Sequence, residues 1–369
     1  MPAISQNNNF KKSPICILSL SSKELFHSNM IGWLMENYID FARLMLGILR
    51  LTLTPKVERE KFNFDLLVSA QDSLYVIENK VKSLPEAAQI KKYQESIQLK
   101  KETATFILVS LISPGKNFFD ELKNSNETDK NSVPLRVLNY QDVLDFLSEI
   151  KTINLYHEAL IQDYTILITT LLSIKTKSEI FDQSEYYAFG KEDELALRDI
   201  RLFDVAQKIR ASCFAGMLDN ALVGLNLPDY NLLKQKTEVA LSNSTGLVSI
   251  KFGFRSNSEN INLLLGIQIQ GPQYRLSVES TDGSDVLEIA MRLKEAKLWL
   301  NPTDEHHGKA PILKFGKDFK YSYSSIKKII VSDLVDLVKR DVTRLFQEIE
   351  NLESHCQITK RFINDTTKD

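Results

Sequence analysis

The chain has 369 residues, with 43% apolar and 25% charged side chains and a formal net charge of −2. That composition is that of an ordinary globular protein long enough for two domains, and it excludes a global basic field, so any nucleic-acid contact must use a local patch. Three scattered cysteines, Cys16, Cys213 and Cys356, form neither a metal-ligand pair nor a disulfide framework, which suits a reducing cytoplasm.

Met1–Lys12 reads as a flexible leader, and the apolar run Ile15–Leu20 is too short to span a membrane. From Ser21 to about Leu51, apolar residues recur at helical spacing. Short strand patterns follow at Lys56–Lys61, Phe62–Ser69 and Leu74–Lys80. A helix is expected from about Pro85 to Lys100, with Ser83 and Glu86 as a capping box. Thr103–Ile112 is a continuous β-branched run of the kind found in a buried strand, and Leu135–Leu138 and Tyr140–Ile150 read as strand and helix across the polar connection Asn117–Asn131. Helices are expected at Ile153–Ser173 and Asp193–Leu222, with a linker near Lys175–Glu185. Strands then follow at Glu238–Ser242, Leu247–Phe254, Asn262–Gln270, Tyr274–Glu279 and Phe319–Tyr323, with helices at Asp285–Trp299 and Ile326–Glu353. The organisation predicted is a leader over 1–12, an α/β domain over 13–152, a helical connection over 153–235, and a C-terminal α+β domain with an antiparallel sheet over 236–369.

The chemistry concentrates in Phe64–Ser83, FDLLVSAQDSLYVIENKVKS, where Asp65, Glu78 and Lys80 interrupt two otherwise apolar strands. Residues two apart on a strand share a face, so Glu78 and Lys80 point together. A hairpin turning between Gln71 and Asp72 sets Ser69 opposite Leu74, Leu67 opposite Val76, and Asp65 opposite Glu78, with Cβ atoms about 4.5–5.5 Å apart. Adjacent carboxylates repel, and a hard divalent cation such as Mg²⁺ relieves that cost. Lys80 would then orient or activate an attacking water or balance charge on a phosphate, which makes a site for metal-assisted phosphodiester hydrolysis. On these three residues alone, a salt-bridged and inert sheet face is an equal alternative.

The next helix places Gln89 and Tyr93 on one face, and Lys80, Lys82, Lys91, Lys92, Lys100 and Lys101 surround the element. That is a positive setting for a polyanion, or an ordinary solvated helix face. Asp304–Gly308 carries two histidines but has no metal-ligand frame, and Lys314–Lys328, where aromatics alternate with lysines, reads as a half-buried strand before it reads as a nucleic-acid face.

Asp65, then Glu78-Asn79-Lys80, then Gln89-x-x-x-Tyr93 resembles the PD-(D/E)XK nuclease superfamily, in particular a bacterial branch reading I-E-N-K followed by Q-x-x-x-Y. Glu24–Leu34 is similar to that branch's first helix, although Asn63-Phe64 stands where the superfamily pattern has Pro before Asp. The resemblance implies a restriction-endonuclease-like αβββαβ core with a mixed sheet. It implies catalytic Asp65, Glu78, Lys80 and Gln89, and a Mg²⁺ site (Mn²⁺ as substitute) formed by Asp65, Glu78, the Asn79 carbonyl and Glu24. Glu24 could equally cap its own helix through Ser21-x-x-Glu24. Lys82, Lys91, Lys92 and Tyr93 are the candidate nucleic-acid contacts. The implied substrate is DNA ahead of RNA, in a cytoplasmic enzyme of restriction or anti-phage defence, with no membrane partner. The C-terminal half would serve DNA recognition, a homodimer contact or a partner protein. The alternative is a non-cleaving nucleic-acid-binding or assembly subunit on the same fold.

Overall fold

Alternation along Phe64–Lys80 resolves, in a computed structural model, into a hairpin turning on two residues. Gln71 and Asp72 both take left-handed φ, 45° and 60°, the backbone that a two-residue turn needs to follow strand twist. The structure describes residues 8–18, 20–98, 104–114, 118–119, 122, 134–223, 225, 237–242, 245–256, 261–295, 313–314, 316–356 and 358–359. The chain divides into two units, Met1–Ser178 with Lys191–Ala206, and Glu179–Gly190 with Gln207–Asp369.

The first unit contains helices α1 (Asn8–Lys12), α2 (Pro14–Ile17), α3 (Glu24–Asn37) and α4 (Ile39–Leu46), then strands β1 (Lys56–Arg59), β2 (Leu66–Ala70) and β3 (Ser73–Lys80). Helix α5 (Ala87–Gln98) leads to β4 (Ala104–Ser110), and β5 (Leu135–Asn139) to α6 (Tyr140–Ser148), α7 (Leu155–Ser178) and α8 (Lys191–Asp199); α9 (Phe203–Val223) belongs from Gln207 onward to the second unit. The five strands lie in the order β1-β2-β3-β4-β5. The β1–β2 and β2–β3 pairs are antiparallel, and β3–β4 and β4–β5 are parallel. The sheet is therefore mixed, as expected, and the unit is α/β. Helix α5 covers one face, packing Ala87, Ile90, Tyr93 and Ile97 on Val76, Phe106 and Leu108. Helix α3 closes on the other face at Gly32, where a Cβ would stand 3.2 Å from Leu66 Cδ2 and 3.3 Å from Val57 Cγ1. With both faces covered, β4 is buried almost throughout, which is why its sequence does not alternate.

Several boundaries differ from the sequence expectation. Residues 8–12, read as part of a leader, form α1 with Phe10 fully buried. The long first helix is two helices, broken at Tyr38, whose backbone is extended (φ −133°) and whose hydroxyl pairs with His157 Nδ1 at 2.8 Å. The strand drawn through Phe62 and Asn63 is a tight turn in which Glu60, Phe62 and Asn63 all have positive φ. The helix expected over Asp193–Leu222 is α8 and α9, separated at Arg201 with φ 59°. A break of one residue at Tyr38, or of three at 200–202, is too short to interrupt the run of apolar residues, so periodicity does not detect it. Most of Asn117–Asn131 and all of Asp304–Gly308 lie outside the described residues.

The second unit holds β6 (Thr237–Ser242), β7 (Thr245–Ser256), β8 (Ile261–Gln270), β9 (Gln273–Ser280), α10 (Leu287–Glu295), β10 (Leu313–Lys314), β11 (Phe319–Ser325), α11 (Val331–Cys356) and β12 (Ile358–Thr359). Its strands run antiparallel in the order β10-β11-β9-β8-β7-β12, with β6 also on β7. Val248, Ile250, Ile267, Ile269 and Leu276 pack against Phe214 and Leu218 of α9 and Leu334 and Val338 of α11. Strand β11 is half-buried, but its buried side is Lys320, Ser322 and Ser324, while Tyr323 is exposed. The Lys320 ammonium is satisfied by the Gly316 carbonyl at 2.8 Å, the Lys317 carbonyl, and Asp285 at 3.5 Å.

Helix α6 begins on a full capping box, with the Asn139 side chain accepting from the Gln141 and Asp142 N–H groups and the Asp142 carboxylate accepting from the Asn139 N–H. Asn139→Ala is expected to cost about 1 kcal/mol, read as a lower denaturation midpoint with unchanged secondary structure.

Candidate active site

The β2–β3 ladder pairs Ser69 with Leu74, Leu67 with Val76 and Leu66 with Ile77, the register that a turn at Gln71-Asp72 demands. Asp65 lies one residue beyond the last rung, and its Oδ2 accepts the Asn79 N–H at 2.7 Å. This bond holds the Asp65 carboxylate at the end of β3, beside Glu78. Burial, and then the Glu78 charge, push the Asp65 carboxyl up from 3.8 to about 6, against the weaker opposing pull of the Asn79 N–H and Lys80.

Glu78 is 4% exposed. Its Oε1 accepts from Lys80 Nζ at 2.7 Å and from Gln89 Nε2 at 2.7 Å. Its Oε2 is buried without a hydrogen-bond partner. An unpaired buried carboxylate oxygen is costly, and an ion is one of the few things that explains it. Among the described residues no group of three or more His, Cys, Asp or Glu side chains converges. A cation here would therefore take two carboxylates, Asp65 and Glu78, and complete its shell with carbonyl and water oxygens. That donor set fits Mg²⁺, which keeps several waters and uses one or two protein carboxylates.

Helix α5 presents Gln89 to this carboxylate, and Gln89 Nε2 also lies 2.5 Å from the Tyr93 hydroxyl. Tyr93 donates onward to the Asn63 carbonyl at 3.2 Å, and its ring meets Phe64 edge-on at 4.9 Å. Burial, followed by the Glu78 charge, raises its phenol to about 12. Tyr93, expected among the nucleic-acid contacts, is thus turned inward: sharing a helix face with Gln89 aims it at the sheet, and only 8% of it is exposed.

Glu24 does not cap its own helix. Its Oε1 accepts the N–H groups of Val81, Lys82 and Ser83 at 3.2, 3.0 and 2.7 Å and the Ser83 hydroxyl at 2.5 Å. Burial raises its carboxyl, but the Ser83 hydroxyl and these amides outweigh it and leave the group below its ordinary range. The chain leaving β3 is tied to α3 by this carboxylate, so Glu24, expected among the metal ligands, is engaged in holding the backbone instead. Ser83, expected to cap α5, is used here instead.

Asn79 faces the opposite side of β3 from Glu78 and Lys80. Its Oδ1 accepts from the Tyr140 hydroxyl at 2.8 Å, and its Nδ2 reaches the Glu24 carbonyl at 3.4 Å. Tyr140 is fully buried, with its ring 5.5 Å from His27. His27 is buried too, which lowers its pKa to about 4 and keeps it neutral. Its Nε2–H must donate to the Ser21 carbonyl at 3.0 Å, so Nδ1 accepts from Tyr164 at 3.2 Å. The histidine packs behind the site. Tyr140, Tyr164 and Asn63 carried no spacing signal that could have found them, and the spacing of Ser83 to Glu86 pointed to a helix cap rather than to Glu24.

Of the candidate lysines, Lys82 is ion-paired with Asp204, Lys92 is exposed and Lys91 partly buried, while Lys100 and Lys101 lie outside the described residues.

Residues 51–166 match the model of the PD-(D/E)XK nuclease superfamily. That segment takes in Asp65, Glu78, Lys80, Gln89 and Tyr93, and leaves Glu24 outside it. No curated protein and no solved structure matches the chain. The first unit thus contains a PD-(D/E)XK-type domain, which supports a nuclease acting on nucleic acid with a divalent metal ion. No helix among the described residues is long and apolar enough to cross a membrane.

A carboxyl raised to about 6 in the fold gives stability that is full below about pH 4 and is lost as pH rises through about 6. Asp65→Asn keeps an oxygen for the Asn79 N–H. In EDTA near pH 8 it is expected to be more stable than wild type by on the order of 2 kcal/mol, with no gain near pH 4. Thermal unfolding across that range checks the sign; a gain that persists at the acid end contradicts it.

Proposed function

We propose that the protein is a Mg²⁺-dependent, cytoplasmic endonuclease that hydrolyses phosphodiester bonds, in DNA ahead of RNA. The observation that carries this reading is the grouping of Asp65 and Lys80 with Glu78, a buried carboxylate whose Oε1 is paired with Lys80 and whose Oε2 lacks a partner. Asp65, Glu78 and the Asn79 main-chain carbonyl would hold the ion, which when bound supplies Lewis-acid polarisation of the scissile phosphate. Gln89 fixes the rotamer of Glu78 by donating to Oε1. Lys80, at 9% exposure and paired with that same oxygen, has its ammonium where an attacking water or a phosphate oxygen would be steadied. Glu24 holds the backbone that follows Lys80 in place. Lys92 and Lys91 would meet the phosphate backbone, and Lys82 would join them on leaving Asp204. In a bacterial setting this activity suits restriction or anti-phage defence, with the second unit serving substrate recognition or assembly.

The test is incubation of the full chain with plasmid, single-stranded DNA and RNA, in Mg²⁺ or EDTA. Cleavage is expected in Mg²⁺ alone, with DNA cut faster. Glu78→Ala and Lys80→Ala should each lose about 100-fold or more. Calorimetry should show Mn²⁺ binding abolished by Glu78→Ala and kept by Lys80→Ala. Variants that cut as well as wild type would falsify the mechanism. Nucleic-acid binding without cleavage or metal uptake would favour the non-cleaving subunit.

A further inference from the structure

Three of the four residues 60–63 hold left-handed backbone without being glycine: Glu60, Phe62 and Asn63, at φ 52°, 59° and 66°. For a bulky aromatic this is a true outlier, and such strain persists only where the surroundings enforce it. Here they do. Glu60 N–H donates to the Asp65 carbonyl at 3.1 Å, Phe64 N–H to the Lys61 carbonyl at 3.1 Å, and the Tyr93 hydroxyl to the Asn63 carbonyl. The turn lies immediately before Asp65, and the last of these bonds links it through Gln89 to Glu78.

What the strained turn displays is Phe62, 48% exposed. Its ring stands edge-on to Phe64 at 6.4 Å, and Phe64 in turn meets Tyr93. An aromatic file therefore runs from the surface into the site. The Lys61 ammonium lies 5.3 Å from the Phe62 ring centroid and is ion-paired with Glu58 Oε1 at 2.8 Å. An apolar ring exposed at the surface, held three residues before a site read as phosphodiester-cleaving, is the element that an unstacked base of single-stranded nucleic acid engages.

We propose that Phe62 stacks on an unstacked nucleobase of the substrate, next to the Asp65–Glu78 site. Intact duplex hides its base faces, so the contact selects single-stranded, frayed or everted positions. The proposal rests on the nuclease reading and adds to it how substrate is gripped.

The probe is a short single-stranded DNA carrying 2-aminopurine, bound to the full chain in EDTA so that it is not cut. Wild type is expected to quench the fluorophore on binding. Phe62→Ala should bind about tenfold more weakly and lose the quench, because a base–aromatic stack contributes at that scale. Phe62→Leu, which keeps apolar bulk without a π-face, should behave like Phe62→Ala, and Phe62→Tyr should behave like wild type, which separates stacking from misfolding. Affinity for blunt duplex should move less than twofold, roughly the scatter of such measurements. Phe62→Ala or Phe62→Leu binding and quenching as wild type does overturns the stacking role alone when wild type still cleaves. A wild type that neither binds nor cuts any nucleic acid overturns the nuclease reading and this proposal together.

Discussion

A carboxylate at the buried end of a sheet strand is tolerable only if its charge is answered on every side, and Glu78 imposes that demand on its surroundings. Lys80 answers from the same strand and Gln89 from α5, both at Oε1. The oxygen left over, Oε2, is where the protein alone leaves the demand unmet. Half-compensated buried charges are poor sources of stability. Their persistence beside a second carboxylate is better explained by a ligand than by folding.

The alternation of β3 divides the work between two faces. Glu78 and Lys80 point toward α5, while Asn79 between them points toward α3 and is fixed by Tyr140 and the Glu24 carbonyl. The main chain of Asn79 then reaches forward to Asp65. One residue therefore joins the packed back of the sheet to the acidic front. Glu24 does the corresponding job one step later, by collecting the amides of Val81–Ser83. The tight turn before Asp65 supplies the third constraint, with backbone strain sustained by the Tyr93 hydroxyl and the Asp65 carbonyl.

The second unit solves a different problem. Its antiparallel sheet buries one apolar face on α9 and α11, and β11 departs from the usual pattern by turning Lys320 inward and Tyr323 outward. Lys320 can be buried because turn carbonyls surround its ammonium. An aromatic–lysine alternation thus says that a strand is two-faced without saying which set faces in.

The sequence by itself determined the features that depend on short-range geometry. Period-two patterning and a two-residue turn specify the β2–β3 register, hence the meeting of Asp65 with Glu78. The i, i+4 spacing puts Gln89 and Tyr93 on one face, and unbroken β-branched residues mark β4 as buried. Tertiary structure decided the rest: the breaks at Tyr38 and Arg201, the inward turn of Tyr93, and the use of Ser83 and Glu24 on each other. It also decided the anchoring of Asn79 by Tyr140, 61 positions away. The Tyr38, Glu24–Ser83 and Asn79–Tyr140 contacts join groups far apart in the chain, whose partners exist only once the elements have packed, so local propensity and spacing carry no trace of them.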